Sequence, residues 1–553
     1  MSIPTLVLKL FAVKARAFEN ATKDPMRAQN RTLMRYIKRG KNTECGIKHG
    51  FSSIESIADF RSRVSLSNYE DILPYINRMA KGENNILTPD KAIFFGITSG
   101  TTGKPKLIPV TEYSRARKAE LMRLWTYYIS KRHPHLLDGN VLAIISPEIK
   151  SYTESGIPYG PEDGHAYNNL PSVIKNKYVL PYEVFCINNY DARYYCMLRI
   201  AMEYSISTIA TLNPSTLTLL CERIDGLKDM IIEDMARGTL SHSFEIEPGI
   251  RSSIEKRLRP NPRRAEYLRK LLLEKGALLP KDFWPALDVI ECWKGGTVKS
   301  YLRELPKYFG DADIWDFGCL STEARSSIPV TGAGAGGVLA IETNFYEFIP
   351  REDIDKDNKR VLLCDELEKG GEYMLVVTTA GGLYRYDIDD IIKVTGFFNK
   401  TPVIDFIQKG HNAVSLTGEK VYESHIDEAV TGAVSKHDLS LVSFSACVQS
   451  GNPPCYVFIV EFNSQPSLEA KKSFLYSIEE GLRKQNSEYD DIRKQFLLGN
   501  PILKVVKKGE FERYRHTKVS QGAHDSQFKY PKLSQQIDFY KNFNVVEEIF
   551  MNS

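Results

Sequence analysis

Apolar positions recur along this chain with two different periods, and the two patterns alternate. Helical periodicity, interrupted by polar turns, is found over 1–90, 112–131, 251–276 and 468–484. Short apolar runs of the kind that form buried strands occupy 92–95, 141–146, 205–212, 289–293, 337–341, 373–379, 391–394, 443–449 and 456–462. Strands that alternate with helices predict the α/β class.

The pattern restarts after about residue 408, where a second set of strands and a helix begins. A chain of 553 residues is long enough for about two to four domains. We therefore predict a large N-terminal domain of several subdomains with mixed sheets and helices over 1–408. A smaller α+β domain is predicted over 409–553, within the normal size of a domain.

Composition and charge exclude several classes of protein. The 73 basic and 69 acidic residues give a net charge of only +4, which is too small and dispersed to indicate a nucleic-acid partner. Nine cysteines without a Cys-x-x-Cys pair are typical of reduced thiols. The apolar residues 6–13 precede Lys14 and Arg16, whereas a signal peptide carries its charge first. We expect a cytoplasmic protein without a membrane-spanning segment.

The segment 98–106 has the composition of a phosphate-binding loop. It follows an apolar run and reads Thr-Ser-Gly-Thr-Thr-Gly-Lys-Pro-Lys. Glycine lets backbone N–H groups approach phosphate oxygens, hydroxyls donate hydrogen bonds and lysine neutralises charge. The spacing is not that of a nucleoside-triphosphatase P-loop, because Gly103-Lys104 is followed by Pro105. The alternative, a plain surface turn, does not explain the strand, the hydroxyls and the lysines together.

A second candidate segment, 317–323, reads Phe-Gly-Cys-Leu-Ser-Thr-Glu. The Thr322 hydroxyl is suited to a phosphate oxygen, and the Glu323 carboxylate to a Mg²⁺ ion beside it. By itself this segment is weak evidence for a phosphate or Mg²⁺ site. A helix N-cap with a glutamate in the first turn is the commoner explanation.

A third segment, 381–390, contains three aspartates that could accept hydrogen bonds from ribose hydroxyls: Asp387, Asp389 and Asp390. A solvated turn is the alternative for any one of them. The nearby string 332–337 matches the dinucleotide pattern G-x-G-x-x-G. Because that fingerprint must open a helix and 338–343 is predicted to be a strand, we reject it as a dinucleotide site.

The three segments, in this order, resemble the motifs of the adenylate-forming superfamily. The closer resemblance is to the auxin-responsive Gretchen Hagen family of acyl-acid amido synthetases. It extends over nearly the whole chain, through the segments 69–78, 346–350, 382–390, 394–402, 509–512 and 526–532. Such enzymes use ATP and Mg²⁺ to join a small carboxylic acid to an amino acid.

The resemblance implies a role for individual residues. The ATP phosphates would be contacted by Ser99, Gly100, Thr101, Thr102 and Lys104. Thr322 and Glu323 would lie at the α-phosphate and Mg²⁺, and Asp390 would hold the ribose. Lys420 would contact phosphate just beyond the hinge, and Lys529 would reach the active site from a mobile C-terminal lid. This chain departs from the family at Asp389, where relatives carry glycine, and at Gly410-His411 in the hinge.

The implied reaction has two steps: formation of an acyl-adenylate, then attack by an amine on the acyl carbon. An acyl-CoA ligase shares the first step and uses a thiol in the second, and a non-catalytic nucleotide-binding scaffold is a third alternative. The sequence does not decide which residues line the acyl pocket. The pocket could be lined by Arg115, Arg123, Trp125 and Tyr128, or these could be core aromatics and solvated arginines. We expect a monomer with small-molecule substrates.

Overall fold

The chain divides into two units, 1–406 and 407–553. The computed structural model describes residues 3–97, 106–136, 138–295, 299–354, 356–410, 414, 421–451, 453–494, 498–521 and 528–551. Strands and helices alternate through both units, and the predicted α/β class is confirmed.

The first unit contains all the helices predicted before residue 280, several of them divided into shorter pieces. Its helices are α1 (Ile3–Ala21), α2 (Pro25–Gly40), α3 (Glu44–Lys48), α4 (Ile57–Arg63), α5 (Tyr69–Ala80), α6 (Glu112–Arg132), α7 (Glu162–Asn168), α8 (Ser172–Lys175), α9 (Tyr190–Ala201), α10 (Ser215–Arg237), α11 (Pro248–Glu255), α12 (Pro262–Lys275), α13 (Pro280–Phe283), α14 (Lys299–Leu302) and α15 (Leu305–Phe309). The helix predicted over 112–131 ends one residue later than expected, whereas 251–276 is two helices, α11 and α12.

The strands of the first unit form three sheets. They are β1 (Phe94–Ile97), β2 (Leu107–Val110), β3 (Asn140–Ile144), β4 (Ser151–Tyr152), β5 (Pro158–Gly160), β6 (Ile206–Thr211), β7 (Val289–Glu291), β8 (Asp313–Trp315), β9 (Ser327–Ile328), β10 (Gly337–Leu339), β11 (Phe345–Pro350), β12 (Glu372–Thr378), β13 (Tyr386–Phe398) and β14 (Thr401–Lys409). Their orders are β2-β1-β5-β4, β3-β6-β7-β8 and β11-β12-β13-β14-β10-β9. The first strand lies two residues later than the predicted 92–95. The strand β10 follows the glycines at 332–337, so the rejection of a dinucleotide fingerprint is confirmed.

Local sequence explains where two helices near the candidate site begin. Before α5, the Asn68 side chain accepts from the backbone N–H of Asp71, whose carboxylate accepts from the N–H of Asn68. Thr111 and Ser114 form the same reciprocal cap at the start of α6. Each capping box satisfies two N–H groups that a helix start leaves without intrahelical partners. The cap at Thr111 therefore fixes the point at which the chain turns from β2 into α6.

Two separate cores stabilise the first unit. The six-stranded sheet packs with the N-terminal helices and α6, and every residue of β11 is buried. The parallel sheet β3-β6-β7-β8 is enclosed by α9, α10 and α12, with a fully buried Trp284 among them. Strands buried on both faces are expected for a parallel sheet covered by helices.

The second unit is a mixed sheet with helices, the α+β arrangement predicted for the C-terminal part. Its elements are α16 (Glu423–Lys436), β15 (Leu441–Gln449), β16 (Cys455–Phe462), α17 (Leu468–Gln485), α18 (Ser487–Lys494), β17 (Ile502–Val506), α19 (Glu510–Ser520) and β18 (Val545–Phe550). The sheet order is β15-β16-β17-β18, with only the central pair parallel. Among the described helices of the whole chain, none is long and apolar enough to cross a membrane.

Candidate active site

The two ends of the predicted phosphate loop are held together at the edge of a sheet. The strands β1 and β2 pair antiparallel, and Ile97 lies opposite Leu107. The Tyr69 hydroxyl accepts a hydrogen bond of 2.8 Å from the Leu107 N–H, and the Lys106 ammonium lies 5.4 Å from the centre of the Tyr69 ring. The loop between these ends, with Ser99, Gly100, Thr101, Thr102 and Lys104, lies outside the described residues.

Thr322 contacts the end of β1 directly. Its hydroxyl donates to the Ile97 carbonyl at 3.2 Å, and its methyl carbon would lie 2.6 Å from a Cβ atom added to Gly96. Glycine at position 96 is therefore what lets the 317–323 segment approach the strand so closely. The Lys118 ammonium donates to the Thr322 carbonyl at 2.8 Å and pairs with Glu162 at 2.6 Å. The structure thus brings Thr322 to the base of the predicted phosphate loop.

The segment around Thr322 is a tight turn, and the helix N-cap alternative is wrong. The N–H of Ser321 donates to the carbonyl of Ala324 at 2.9 Å, and Leu320 pairs antiparallel with Arg325. Such a turn leaves its two central residues, Thr322 and Glu323, at the tip.

Glu323 is only 8% exposed and lines a cavity between α6 and the six-stranded sheet. Three cations line the same cavity: Arg117, Lys118 and Arg325. Within the described part of the chain, the Glu323 carboxylate has neither a hydrogen-bond donor nor a salt-bridge partner. Its charge acts on Tyr386, whose pKa is raised first by burial and then by Glu323. A buried carboxylate without a protein partner is suited to binding a cation from solution.

Asp390 is buried and lies close to the 317–323 segment. Burial raises the pKa of the Cys319 thiol well above its ordinary value, and the charges of Asp405, Asp316 and Asp390 add to that effect in decreasing order. A bulge in β13 sets the position of Asp390. Met374 pairs with Ile391, and Val376 pairs with Asp387. Between these two pairs β12 has one residue and β13 has three, of which Asp390 is the last. Of the three aspartates considered from sequence, Asp390 is the most buried.

Asp389 occupies the strained position of the bulge. Its φ of 59° lies in the left-handed region, and its N–H donates to the Asp387 carboxylate at 2.8 Å. Glycine, which the resemblance places here, would adopt this conformation without steric cost. Aspartate tolerates it better than most residues because its short side chain bonds locally.

We expect Asp389→Gly to stabilise the protein by about 0.5–1 kcal/mol, because relief of the left-handed strain exceeds the entropy that glycine adds to the unfolded chain. Urea denaturation would measure the change. Lys393→Gly, in the extended part of the same strand, is the matched control and should destabilise by about 0.5–1 kcal/mol. A loss of stability in Asp389→Gly would mean that contacts of the Asp389 side chain outweigh the strain.

Arg325 and Glu291 are two buried groups of opposite charge that are not in direct contact, and sequence reasoning missed both. Burial lowers the pKa of Arg325, although Asp316 and Glu291 act in the opposite direction. Burial likewise raises the pKa of Glu291, which lies at the carboxyl end of β7, and the charge of Arg325 opposes that shift. The motif 317–323 ends two residues before Arg325, so only the tertiary structure connects Arg325 to the cavity.

Two further residues of the resembling motifs have a structural role. Arg385 is bound in a bidentate ion pair by Glu347, at 2.8 and 2.9 Å, and both side chains are buried. The Arg385 guanidinium also donates to the carbonyls of Arg61 and Val64 at 3.1 and 2.7 Å. The pair thus joins β11, the start of β13 and the end of α4. It fixes the strand that carries Asp390.

Of the four residues considered for the acyl pocket, the two aromatics are core residues. Trp125 is buried, stacks on Phe317 with ring centres 5.2 Å apart, and donates its N–H to the Asp316 carbonyl. Tyr128 is buried and donates to Glu19. Arg123 is exposed, whereas Arg115 is half-buried and pairs with Glu112. The cavity is lined instead by the two intervening cations of the helix, Arg117 and Lys118.

The predicted lysines of the C-terminal part belong to the second unit. Lys529 lies close enough to Glu423, at the start of α16, for its charge to act on that carboxyl. Burial raises the pKa of Glu423, and Lys529 and Lys532 oppose the shift. Lys420 lies outside the described residues.

Comparison with known proteins agrees with this geometry. The GH3 family models match over 14–314 for the N-terminal domain, 337–409 for the central domain and 424–537 for the C-terminal domain. A jasmonoyl–L-amino acid synthetase of Nicotiana attenuata, JAR4, is 27% identical, with 93% of this chain and 92% of the relative covered. The indole-3-acetic acid-amido synthetase GH3.3 of Arabidopsis thaliana is 23% identical, with 94% and 91% covered.

The same fold is found in a solved structure. The GH3.15 acyl acid amido synthetase superposes with a TM-score of 0.86 at 23% identity, covering 98% of this chain and 97% of that one. The domain models together match most of the chain. The resemblance inferred from the motifs is confirmed, and this chain belongs to the GH3 family.

Proposed function

We propose that this protein is an ATP-dependent acyl-acid amido synthetase. It adenylates a small carboxylic acid with release of pyrophosphate, and then transfers the acyl group to an amine, most simply an amino acid, with release of AMP. The single observation that carries the proposal is the Glu323 carboxylate. It is buried without a described partner, in a basic cavity, next to a threonine that contacts the base of the predicted phosphate loop.

The residues at this position fit a magnesium ion. Mg²⁺ binds oxygen ligands and is usually held by one or two carboxylates together with substrate phosphates, and Glu323 offers such a carboxylate. When bound, Mg²⁺ neutralises phosphate charge. The protein's own part is to position the reactants: Thr322 at the α-phosphate, Asp390 at the ribose, and the loop residues Ser99 to Lys104 around the remaining phosphates.

We propose that two lysines of the C-terminal part also act in this reaction. Lys529 would stabilise the charge that develops on the α-phosphate and the attacking carboxylate, an electrostatic role, with Lys420 as a further phosphate contact. We infer that 409–553 acts as a lid that rearranges between the two steps. A closed lid would keep water from the mixed anhydride before the amine arrives.

A pyrophosphate-exchange screen over a panel of carboxylic acids tests the first step. The acid with the highest activity is then incubated with ATP and either pooled amino acids or CoA, and the products are weighed by mass spectrometry. Amide formation supports the proposal. A thioester in place of an amide would make the protein an acyl-CoA ligase, and the absence of exchange with every acid would contradict adenylation.

Asp390→Ala is expected to weaken ATP binding about 10- to 100-fold, because two charge-assisted hydrogen bonds to the ribose would be lost. Calorimetric titration with ATP would measure the change. Asp387→Asn is the matched control, since its amide oxygen can still accept from the backbone N–H of Asp389, and it should leave ATP affinity within a few-fold of the wild type. Unchanged ATP affinity in Asp390→Ala would refute the ribose role.

We further propose that the protein acts as a cytoplasmic monomer. All nine cysteines are free thiols, and eight of them are buried. Burial raises the pKa of several, among them Cys45 and Cys196, each to about 12. Thiols of this kind are protonated and unreactive at neutral pH, which is typical of structural cysteines in a reducing compartment.

A further inference from the structure

Arg325 is a buried cation whose donors are incompletely used. The residue is 2% exposed and lines the same cavity as Glu323. One terminal nitrogen donates to the Phe317 carbonyl at 2.8 Å, and the other contacts only the Met122 thioether, a weak acceptor. The Nε atom is buried without a hydrogen-bond partner in the described part of the chain.

The nearest carboxylates do not neutralise this guanidinium by direct contact. Among the described residues, no carboxylate oxygen lies within 4 Å of it, although the charges of Asp316 and Glu291 act on it. Asp316 is engaged elsewhere: its carboxylate accepts from the backbone N–H groups of Lys294 and Gly336, at 3.2 and 2.6 Å. An arginine that is buried without an ion pair is costly to the folded protein, so a retained one indicates an anion that arrives from solution.

Arg325 lies at the base of the turn, where it pairs with Leu320, and not at the tip that carries Thr322 and Glu323. Thr322, at the tip, contacts the end of β1, whereas the Arg325 guanidinium lies 5.6 Å from the Trp125 ring and bonds back to Phe317. A second buried and unpartnered nitrogen, the Nε of Arg117, belongs to another residue that lines this cavity. An anion bound by the Arg325 guanidinium would therefore lie beside Trp125 and Phe317, and we infer that it is not one of the phosphates expected next to Thr322.

We propose that Arg325 is a specificity-determining residue that binds a second anionic group on the acyl substrate. The substrate class is then a small acid with two anionic groups, one of which is adenylated while the other is held by the guanidinium fork. This inference rests on the proposed function, and it names the class of acid for that same site. Planar carboxylates match the two parallel N–H donors of arginine.

The test compares monoacids with diacids of matched skeleton in pyrophosphate exchange: benzoate with phthalate, isophthalate and terephthalate, and hexanoate with adipate. For the wild-type protein, we expect kcat/KM to be about 10- to 100-fold higher for the preferred diacid than for its monoacid. Arg325→Gln should remove that preference and leave the monoacid within about threefold of the wild type. Arg325→Lys keeps the positive charge but not the paired N–H donors of the guanidinium, so it should retain part of the preference for the diacid.

Controls separate this role from a structural one. Arg123→Gln, on the exposed side of α6, should change neither substrate series, and the KM for ATP should be unaltered in Arg325→Gln. The thermal shift that each acid produces in the wild-type protein is a second measurement that needs no variant, and it should be larger for the diacid.

Several outcomes would overturn the inference. Equal wild-type activity with monoacids and diacids would overturn it while leaving the proposed function standing. An equal loss with both series in Arg325→Gln would mean that Arg325 binds the reacting carboxylate, and a raised KM for ATP would assign it to the nucleotide. Absence of exchange with any acid would overturn the proposed function and this inference with it.

Discussion

Replacing Glu323 with glutamine is expected to lower the rate of acid-dependent pyrophosphate exchange by about 100- to 1,000-fold. The amide keeps the shape of the side chain but removes the negative charge. Glu323 is only 8% exposed and lines the same cavity as three cations, and its carboxylate has no protein partner among the described residues, so the variant should fold at least as well as the wild type. The concentration of Mg²⁺ needed for half-maximal rate should rise as well.

The control for this variant is Glu112→Gln. Glu112 lies at the start of the same helix, α6, and pairs with Arg115 at the surface. Its replacement should change neither the exchange rate nor the requirement for Mg²⁺. Wild-type exchange in Glu323→Gln, with an unaltered dependence on Mg²⁺, would refute the assignment of Glu323 to the metal and remove the main support of the proposed function.

Arg385→Met is expected to reduce the free energy of unfolding by about 3–5 kcal/mol. The substitution leaves the Glu347 carboxylate buried, with only Arg61 nearby at 3.3 Å. It also removes the donors to the Arg61 and Val64 carbonyls. A buried carboxylate that keeps only the longer contact to Arg61 carries most of the cost, and urea denaturation would measure it.

The double variant Arg385→Met/Glu347→Leu should recover much of that loss, because it removes both charges together. Arg31→Met serves as the surface control. Arg31 pairs with Glu342 at 2.5 Å but is 60% exposed, and such pairs contribute little to stability. If the double variant is no more stable than Arg385→Met, the hydrogen bonds to the Arg61 and Val64 carbonyls, rather than the Glu347–Arg385 ion pair, hold this region together.

Local sequence predicted the elements better than it predicted their neighbours. The helix predicted over 112–131 and the strands predicted over 443–449 and 456–462 are present within two residues of their expected ends. Each has a strong period or an apolar run together with a recognisable start, such as the cap at Thr111. The region 251–276 divided because Pro262 begins a new helix capped by Asn261, a local signal that a uniform helical period conceals.

The acyl pocket shows where the same reasoning could not choose between two alternatives. Trp125 and Tyr128 are aromatic and next to arginines, a composition that suits a pocket or a core equally well. In the tertiary structure both aromatics are buried in the core, and the cavity is lined by Arg117 and Lys118 of the same helix. Periodicity says which residues share a face of α6, but not which face meets a cavity.

The sequence by itself determined the family, the order of the motifs, and Thr322, Glu323 and Asp390 as candidates, because motif residues keep a fixed spacing along the chain. Only the tertiary structure decided that Thr322 contacts β1 through the space left by Gly96, that Glu347 and Arg385 are a structural pair, and that Arg325 is a buried cation without a counter-charge in contact. These facts depend on burial and on contacts between residues far apart in sequence, and neither is encoded in a local pattern.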